Sequence, residues 1–296
     1  MTSGVVIFVL AACSLYGVAD DAISRRIGTP DSGTALLRFV DYPQNGGNGR
    51  FVANTNFWLK GVDFSCVSPW NSAGGRLRAG TAISKRHVVF ANHFPLWHGV
   101  RMEFVDANGD VCPCRIEKTK QIGTTDIMIA SLDYELTPGI RPAQILPENY
   151  RRYIGDGAGW PVVTFTQDEK ASLTRLNSIP TNRVFSIRVG KKKPDGSYPM
   201  RDLPSRIGSS IPTNLTERAY HVNIVGGDSG NPIFMLIGEH PVLLACLQGG
   251  GCGSGPPLHL YRREIQAAMD ELCPGYRLEE FDFNQMSSTG CCPVKR

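Results

Sequence analysis

The segment Gly226-Gly227-Asp228-Ser229-Gly230-Asn231-Pro232 sets one hydroxyl among glycines, just ahead of the apolar run Ile233-Phe234-Met235-Leu236. A serine is a poor nucleophile at its ordinary pKa, so acyl transfer needs an adjacent base and backbone N–H groups aimed at the developing oxyanion. Glycines permit that close approach of the backbone. The base must come from His87, His93, His98, His221, His240 or His259. His93 is the best placed, because it follows Val88-Val89-Phe90-Ala91 almost at once and a strand end supports an imidazole rigidly. Taken alone, such a histidine is more often a loop or core residue; its place upstream of Gly-Asp-Ser-Gly singles it out. The orienting carboxylate is Asp126, which directly precedes Ile127-Met128-Ile129-Ala130-Ser131-Leu132, with Asp133 at the far end of that run as its competitor.

Such a constellation needs short, stiff strands to carry it. From Phe51 to about Pro147, runs rich in Val, Ile, Phe and Thr alternate with Gly, Asn and Pro, predicting strands at 80–84, 87–91, 101–105, 111–118 and 127–132. A second set predicts strands at 161–166, 171–176, 184–189, 219–224, 233–236 and 242–248. Asn108-Gly109 between apolar runs predicts a hairpin. The acids from Asp106 to Glu117 imitate a calcium loop, but the glycine at its sixth position is missing and Pro113 falls inside it. Lys191-Lys192-Lys193 before Pro194-Asp195-Gly196 reads as a solvated hairpin tip. Helical spacing is confined to 262–272, where Ile265, Met269 and Leu272 share a face. The expected fold class is all-β: one unit over 51–150, a second over 158–261, and a C-terminal helix with a cysteine-containing tail over 262–296. Strands this short suit barrels or sandwiches, in which closure removes exposed edges.

The 296 residues, 42% hydrophobic and 20% charged, are apolar enough to bury a core, which excludes disorder and fibre. A net charge of +4 is too small and scattered to imply a nucleic-acid partner. Residues 1–19 hold no charged side chain, and Gly17 and Ala19 stand at minus three and minus one of a cleavage before Asp20-Asp21. This predicts a signal peptide and a secreted or periplasmic protein. A lipoprotein box, Leu10-Ala11-Ala12-Cys13, and an uncleaved anchor are the minority readings. Residues 20–50 read as an extension or linker. Leader removal leaves Cys66, Cys112, Cys114, Cys246, Cys252, Cys273, Cys291 and Cys292, an even set that favours disulfides in an exported chain. Their spacing does not suit zinc. Asn214-Leu215-Thr216 is a glycosylation sequon if the source is eukaryotic.

Four segments together resemble the chymotrypsin-like (trypsin superfamily) serine endopeptidases. Residues 79–84 through 88–93 look like the family's Gly-Ser-Leu-Ile to Leu-Thr-Ala-Ala-His segment, and Thr125-Asp126-Ile127-Met128-Ile129-Ala130 looks like Asn-Asp-Ile-Ala-Leu-Leu. Gly227-Asp228-Ser229-Gly230 is similar to the nucleophile motif, and Leu244-Ala245-Cys246-Leu247-Gln248-Gly249-Gly250 to the substrate-lining strand. The resemblance implies two antiparallel six-stranded β-barrels with the site between them. It implies Ser229 as nucleophile, His93 as general base and acid, and Asp126 orienting the imidazole. The N–H groups of Gly227 and Ser229 would form the oxyanion hole. Asn223 would be the floor of the acyl-side pocket, with Gln248, Gly249 and Gly250 along its wall. No cofactor or metal is implied; the partner is a polypeptide substrate, and the cleaved chain is expected as a monomer without a stable membrane span.

The chain departs from the family where Phe94 and Val225 replace cysteines of the usual disulfides beside the site. Arg25-Arg26-Ile27-Gly28 resembles an activation cleavage site, which would free an ammonium for Asp228; without it Asp228 needs another partner. Two readings compete with the endopeptidase. One is a protease-like binding module whose catalysis has lapsed. The other is an esterase-like hydrolase, which usually sets its serine on a strand-to-helix elbow.

Overall fold

The computed structural model describes residues 23–28, 34–42, 51–69, 78–192 and 196–284. The leader over 1–19, the Gly-rich run 45–49, Lys193-Pro194-Asp195 and Cys291-Cys292 lie outside the described residues. The chain is mostly β-sheet with few helices, has one curled half-barrel sheet and carries a helix near its C-terminus.

Strands β1 (Phe39–Asp41) and β2 (Val52–Ala53) form a small antiparallel pair. The first large sheet uses β3 (Thr81–Ala82), β4 (His87–Ala91), β5 (Arg101–Val105), β6 (Val111–Gln121) and β7 (Ile127–Leu132), in the order β3-β4-β7-β6-β5. β4 is His-Val-Val-Phe-Ala, buried at every position. It is paired on both sides, so a β-branched apolar run suits it. The β5–β6 turn is the expected hairpin: Asp106 Oδ1 accepts from the N–H groups of Asn108 and Asp110, and Gly109 takes φ +86.

After β8 (Gln144–Ile145) and a single helical turn, α1 (Arg151–Ile154), the chain enters β9 (Pro161–Phe165) and β10 (Ala171–Ser178). A separate ribbon of β11 (Val184–Arg188) and β12 (Met200–Pro204) follows, then β13 (Ile207–Ser210) and a short helix α2 (Leu215–Arg218). Strands β14 (Pro232–Ile237), β15 (His240–Cys246) and β16 (Ser254–Gly255) complete the second sheet, ordered β16-β13-β10-β9-β14-β15-β8. This sheet curls back on itself. Beyond β15, Gln248 and Gly249 donate N–H bonds to the carbonyl of Ser254 in β16, the opposite edge, at 2.7 and 3.2 Å. Gly255 is obligatory at that closure, because a Cβ there would lie 2.0 Å from the Cys246 carbonyl oxygen. Where six strands per unit were expected, the pairing among the described residues gives sheets of five and seven.

A continuous core joins the sheets. Phe64 packs against Phe165 of β9 and Phe234 of β14, with ring centroids 5.0 and 5.6 Å apart. Phe234 is fully buried, so truncating it to Ala would cost about 3–5 kcal/mol. Helix α3 (Arg262–Leu272) lies where its spacing predicts, burying Ile265, Ala268, Met269 and Leu272 against β7 and β6.

Three expectations are corrected. Residues 219–224 are not a strand: Asn214 Oδ1 caps α2 by accepting from Thr216 and Glu217, and the chain then turns, leaving only an isolated bridge at Ile224. The stretch read as an extension or linker instead buries Ile23 and Leu36 in the main core and supplies β1. Finally, the six described cysteines are free thiols, and Cys66, Cys112, Cys114 and Cys246 are buried as small apolar side chains. The expected disulfide framework does not form among them.

Candidate active site

The register of β4 on β7 brings together residues 33 positions apart. Ala91 pairs with Ile127, and beyond that pair the Asn92 N–H donates to the Asp126 carbonyl at 3.0 Å. The next residue, His93, is thereby set beside the Asp126 side chain. Its backbone N–H donates to Asp126 Oδ1 at 2.7 Å, and its ring Nδ1 lies 2.6 Å from Oδ2. A carboxylate can only accept, so Nδ1 carries the proton and Nε2 of the neutral ring is the acceptor. Nε2 stands 2.8 Å from Ser229 Oγ. The Asp126 side chain is 9% exposed and that of His93 43%, so the acid is shielded while the base stays accessible. Asp133, the competing acid, is at the other end of β7 and accepts the Arg115 N–H instead.

Ser229 is presented just before β14 by a tight loop. Gly230 donates its N–H to the Leu247 carbonyl at 3.0 Å and adopts φ +91. A Cβ on Gly230 would meet the Ala79 carbonyl oxygen at 2.9 Å, so the segment leading to the first sheet presses directly on the Ser229 loop. Gly227 adopts φ +103, and a Cβ there would fall 2.6 Å from Gln167 Oε1. Both glycines therefore meet a backbone requirement, which explains why the motif is written with them.

Asp228, between them, is fully buried. Burial pushes its carboxyl pKa up, while the hydrogen bonds from Val225 and Gln167 pull it down. The carboxylate oxygens accept the N–H groups of Gln167 and Val225, each at 2.7 Å. These backbone donors are the partner that the sequence left open. Ile27, the residue of the activation-like motif, donates its own N–H to the Ile23 carbonyl at 3.0 Å. The adjacent Arg26 bonds the Lys60 carbonyl and pairs with Glu239.

Gln248 to Gly250 run beside the nucleophile loop, continuing from Leu247. Asn223 is not enclosed beneath them: it is exposed, with its Oδ1 3.2 Å from His221 Nε2. Next to it, Ile224 and Gly251 exchange N–H bonds at 2.8 and 3.1 Å, which joins the segment carrying Asn223 to the Gly-rich run.

Three contributors to the site escaped the sequence reading. Gln167 supplies a donor to Asp228, and Ala79 supplies the carbonyl against Gly230. Arg78 lies over the rings of Phe94 and Trp97, 4.1 and 4.6 Å from their centroids. It ties the loop after His93, where Phe94 stands in place of a cysteine, to the segment before β3; such cation–π contacts are worth about 0.5–2 kcal/mol. No motif marks Gln167 or Arg78, and the segment that begins at Ala79 carries no sign of its contact with Gly230, since each acts through a contact distant in sequence.

No family model matches the chain, and no curated protein matches it. Fold and site therefore rest on their own geometry: a mostly β chain that brings a serine, a histidine and an aspartate into one hydrogen-bonded line.

Proposed function

We propose that this chain is a serine endopeptidase of chymotrypsin-like, two-barrel design, hydrolysing peptide bonds through an acyl-enzyme on Ser229. One observation carries the reading: the His93 ring links Asp126 on one side to Ser229 Oγ on the other, at 2.6 and 2.8 Å. In this mechanism Ser229 Oγ attacks the scissile carbonyl as His93 Nε2 takes its proton, and His93 returns that proton to the leaving amine. Asp126 holds the tautomer and stabilises the imidazolium. The N–H groups of Gly227 and Ser229 take the oxyanion, each such donor contributing about 3–4 kcal/mol to the transition state. Water then repeats the sequence to release the acyl group.

The barrel design is supported by the bonds from Gln248 and Gly249 to Ser254, which bring opposite edges of the second sheet together. The substrate strand would lie along Gln248 to Gly250. Export follows from the leader at 1–19, with the mature chain working as a monomer outside the cytoplasm. Among the described residues no helix is long and apolar enough to cross a membrane.

A fluorophosphonate probe tests the reading. The folded, leader-free protein should be labelled on Ser229 and on no other residue, and His93→Ala should abolish labelling. A folded protein that stays unlabelled at Ser229 would instead be a catalytically silent binding module.

A further inference from the structure

We propose that the β11–β12 ribbon is an exosite that captures an extended acidic segment of the polypeptide substrate, which deepens the endopeptidase reading above and rests on it. The ribbon pairs only with itself, so each strand keeps an open outer edge among the described residues. An extended peptide can add to such an edge through main-chain hydrogen bonds. One face of the ribbon sets Phe185 opposite Leu203, with Ile187 next along the strand. Phe185 is 49% exposed, and Val184 and Met200 on the other face are 53% and 57% exposed. These exposed apolar side chains flank the open edges on both faces of the ribbon.

Charge identifies the occupant. Between Val184 and Pro204 the described residues hold four cations, Arg188, Lys191, Lys192 and Arg201, against Asp202. Asp202 already accepts a hydrogen bond from Ser186 across the ribbon. Arg188, Lys191, Lys192 and Arg201 make no ion pair among the described residues. Position ties the ribbon to the active site. Two residues after β12, Arg206 places Nη1 3.8 Å from where a Cβ on Gly249 would stand, beside the candidate substrate strand. Arg206 is likewise exposed and without an ion pair among the described residues. On the ribbon itself Arg201 shares the Phe185 face and Arg188 the Val184 face, so cations stand on both sides of it. An extended segment of alternating acidic and apolar residues matches the ribbon's cations and its uncovered apolar side chains.

The test uses the full mature chain carrying Ser229→Ala, with and without Arg188→Glu plus Arg201→Glu, and fluorescence anisotropy of a labelled peptide of alternating Leu and Glu. Binding should occur, weaken with salt, and fall about tenfold or more in the charge-reversed protein. Phe185→Ser should weaken it as well, and a peptide of alternating Leu and Lys should not bind. In the Ser229 protein the same reversal should leave fluorophosphonate labelling unchanged. Equal binding of both peptides, or no loss on charge reversal, would overturn the exosite. So would salt-sensitive sedimentation with phosphatidylserine vesicles in the absence of peptide binding, which would assign the ribbon to a lipid surface. Loss of Ser229 labelling with peptide capture intact would sink the endopeptidase reading while supporting the ribbon as a docking site.

Discussion

Gly230 lies against Ala79 so closely that a Cβ on the glycine would stand 2.9 Å from the alanine carbonyl oxygen. The contact joins the Ser229 loop to the segment that enters the first sheet, and the neighbouring Phe90 Cβ and Ala91 N–H close the same space, each 3.8 Å from that point. The two halves of the candidate site are therefore held in register by backbone packing. No flexible side chain is available to give way.

Gly230→Ala combines a left-handed φ of +91 with that clash. It should destabilise the protein by about 2–4 kcal/mol and displace Ser229 from His93. Thermal melting together with the rate of fluorophosphonate labelling reads both effects. An unchanged labelling rate would mean that the loop can slide on the first sheet.

Asp126→Asn preserves the shape of the side chain but places an amide where His93 needs an acceptor for Nδ1–H. The imidazole would then favour the tautomer that cannot take the Ser229 proton. Turnover should drop about 10⁴-fold, with little change in melting temperature. Steady-state kinetics on an ester substrate checks this, and a loss below tenfold would remove Asp126 from the mechanism.

Acid should weaken the fold through two buried imidazoles outside the site. Burial pushes His87 and His259 down to about 4 from their ordinary 6.5. Between those values the unfolded chain takes up protons that the folded chain refuses, so stability is full above pH 6.5 and declines as pH falls towards 4. Each histidine accounts for a loss on the order of 3 kcal/mol at the lower limit. Melting curves from pH 7 to 4 should show the decline, and His259→Gln should reduce its slope. A slope indifferent to that substitution would place the acid sensitivity elsewhere.

The free thiols among the described residues should leave the fold insensitive to reductant. Burial pushes Cys66 up to about 12 and also raises Cys114 and Cys246, so little thiolate forms near neutral pH. A thiol-specific chromogenic reagent should leave Cys66, Cys114 and Cys246 unmodified until denaturant is added, as peptide mapping would show. Reductant should leave the melting temperature within a degree or two. A fall of about 10 °C or more would reveal a stabilising disulfide.

Local patterning made much of the chain legible. The runs at 87–91, 101–105 and 127–132 and the helix at 262–272 have the same bounds in sequence and structure, because each is a continuous apolar or periodic segment with turn residues on both sides. The 219–224 run was misread because Asn214 offers the backbone a helix cap, and that local bond outweighs the β preference of the residues after it. β16 and β8 escaped notice because two residues carry no period.

By itself the sequence determined which residues are candidates for the site. Ser229 among its glycines, His93 at a strand end and Asp126 at a strand start could be chosen from residue type and neighbours alone. Only the tertiary structure decided where Asp228 finds its donors, how the segment carrying Asn223 is bonded to Gly251, and what presses on Gly230. Those outcomes rest on backbone groups of Gln167, Gly251 and Ala79, and every residue but proline carries the same N–H and C=O. Residue type can mark a nucleophile, but a peptide group acquires a role only when folding sets it against a distant partner.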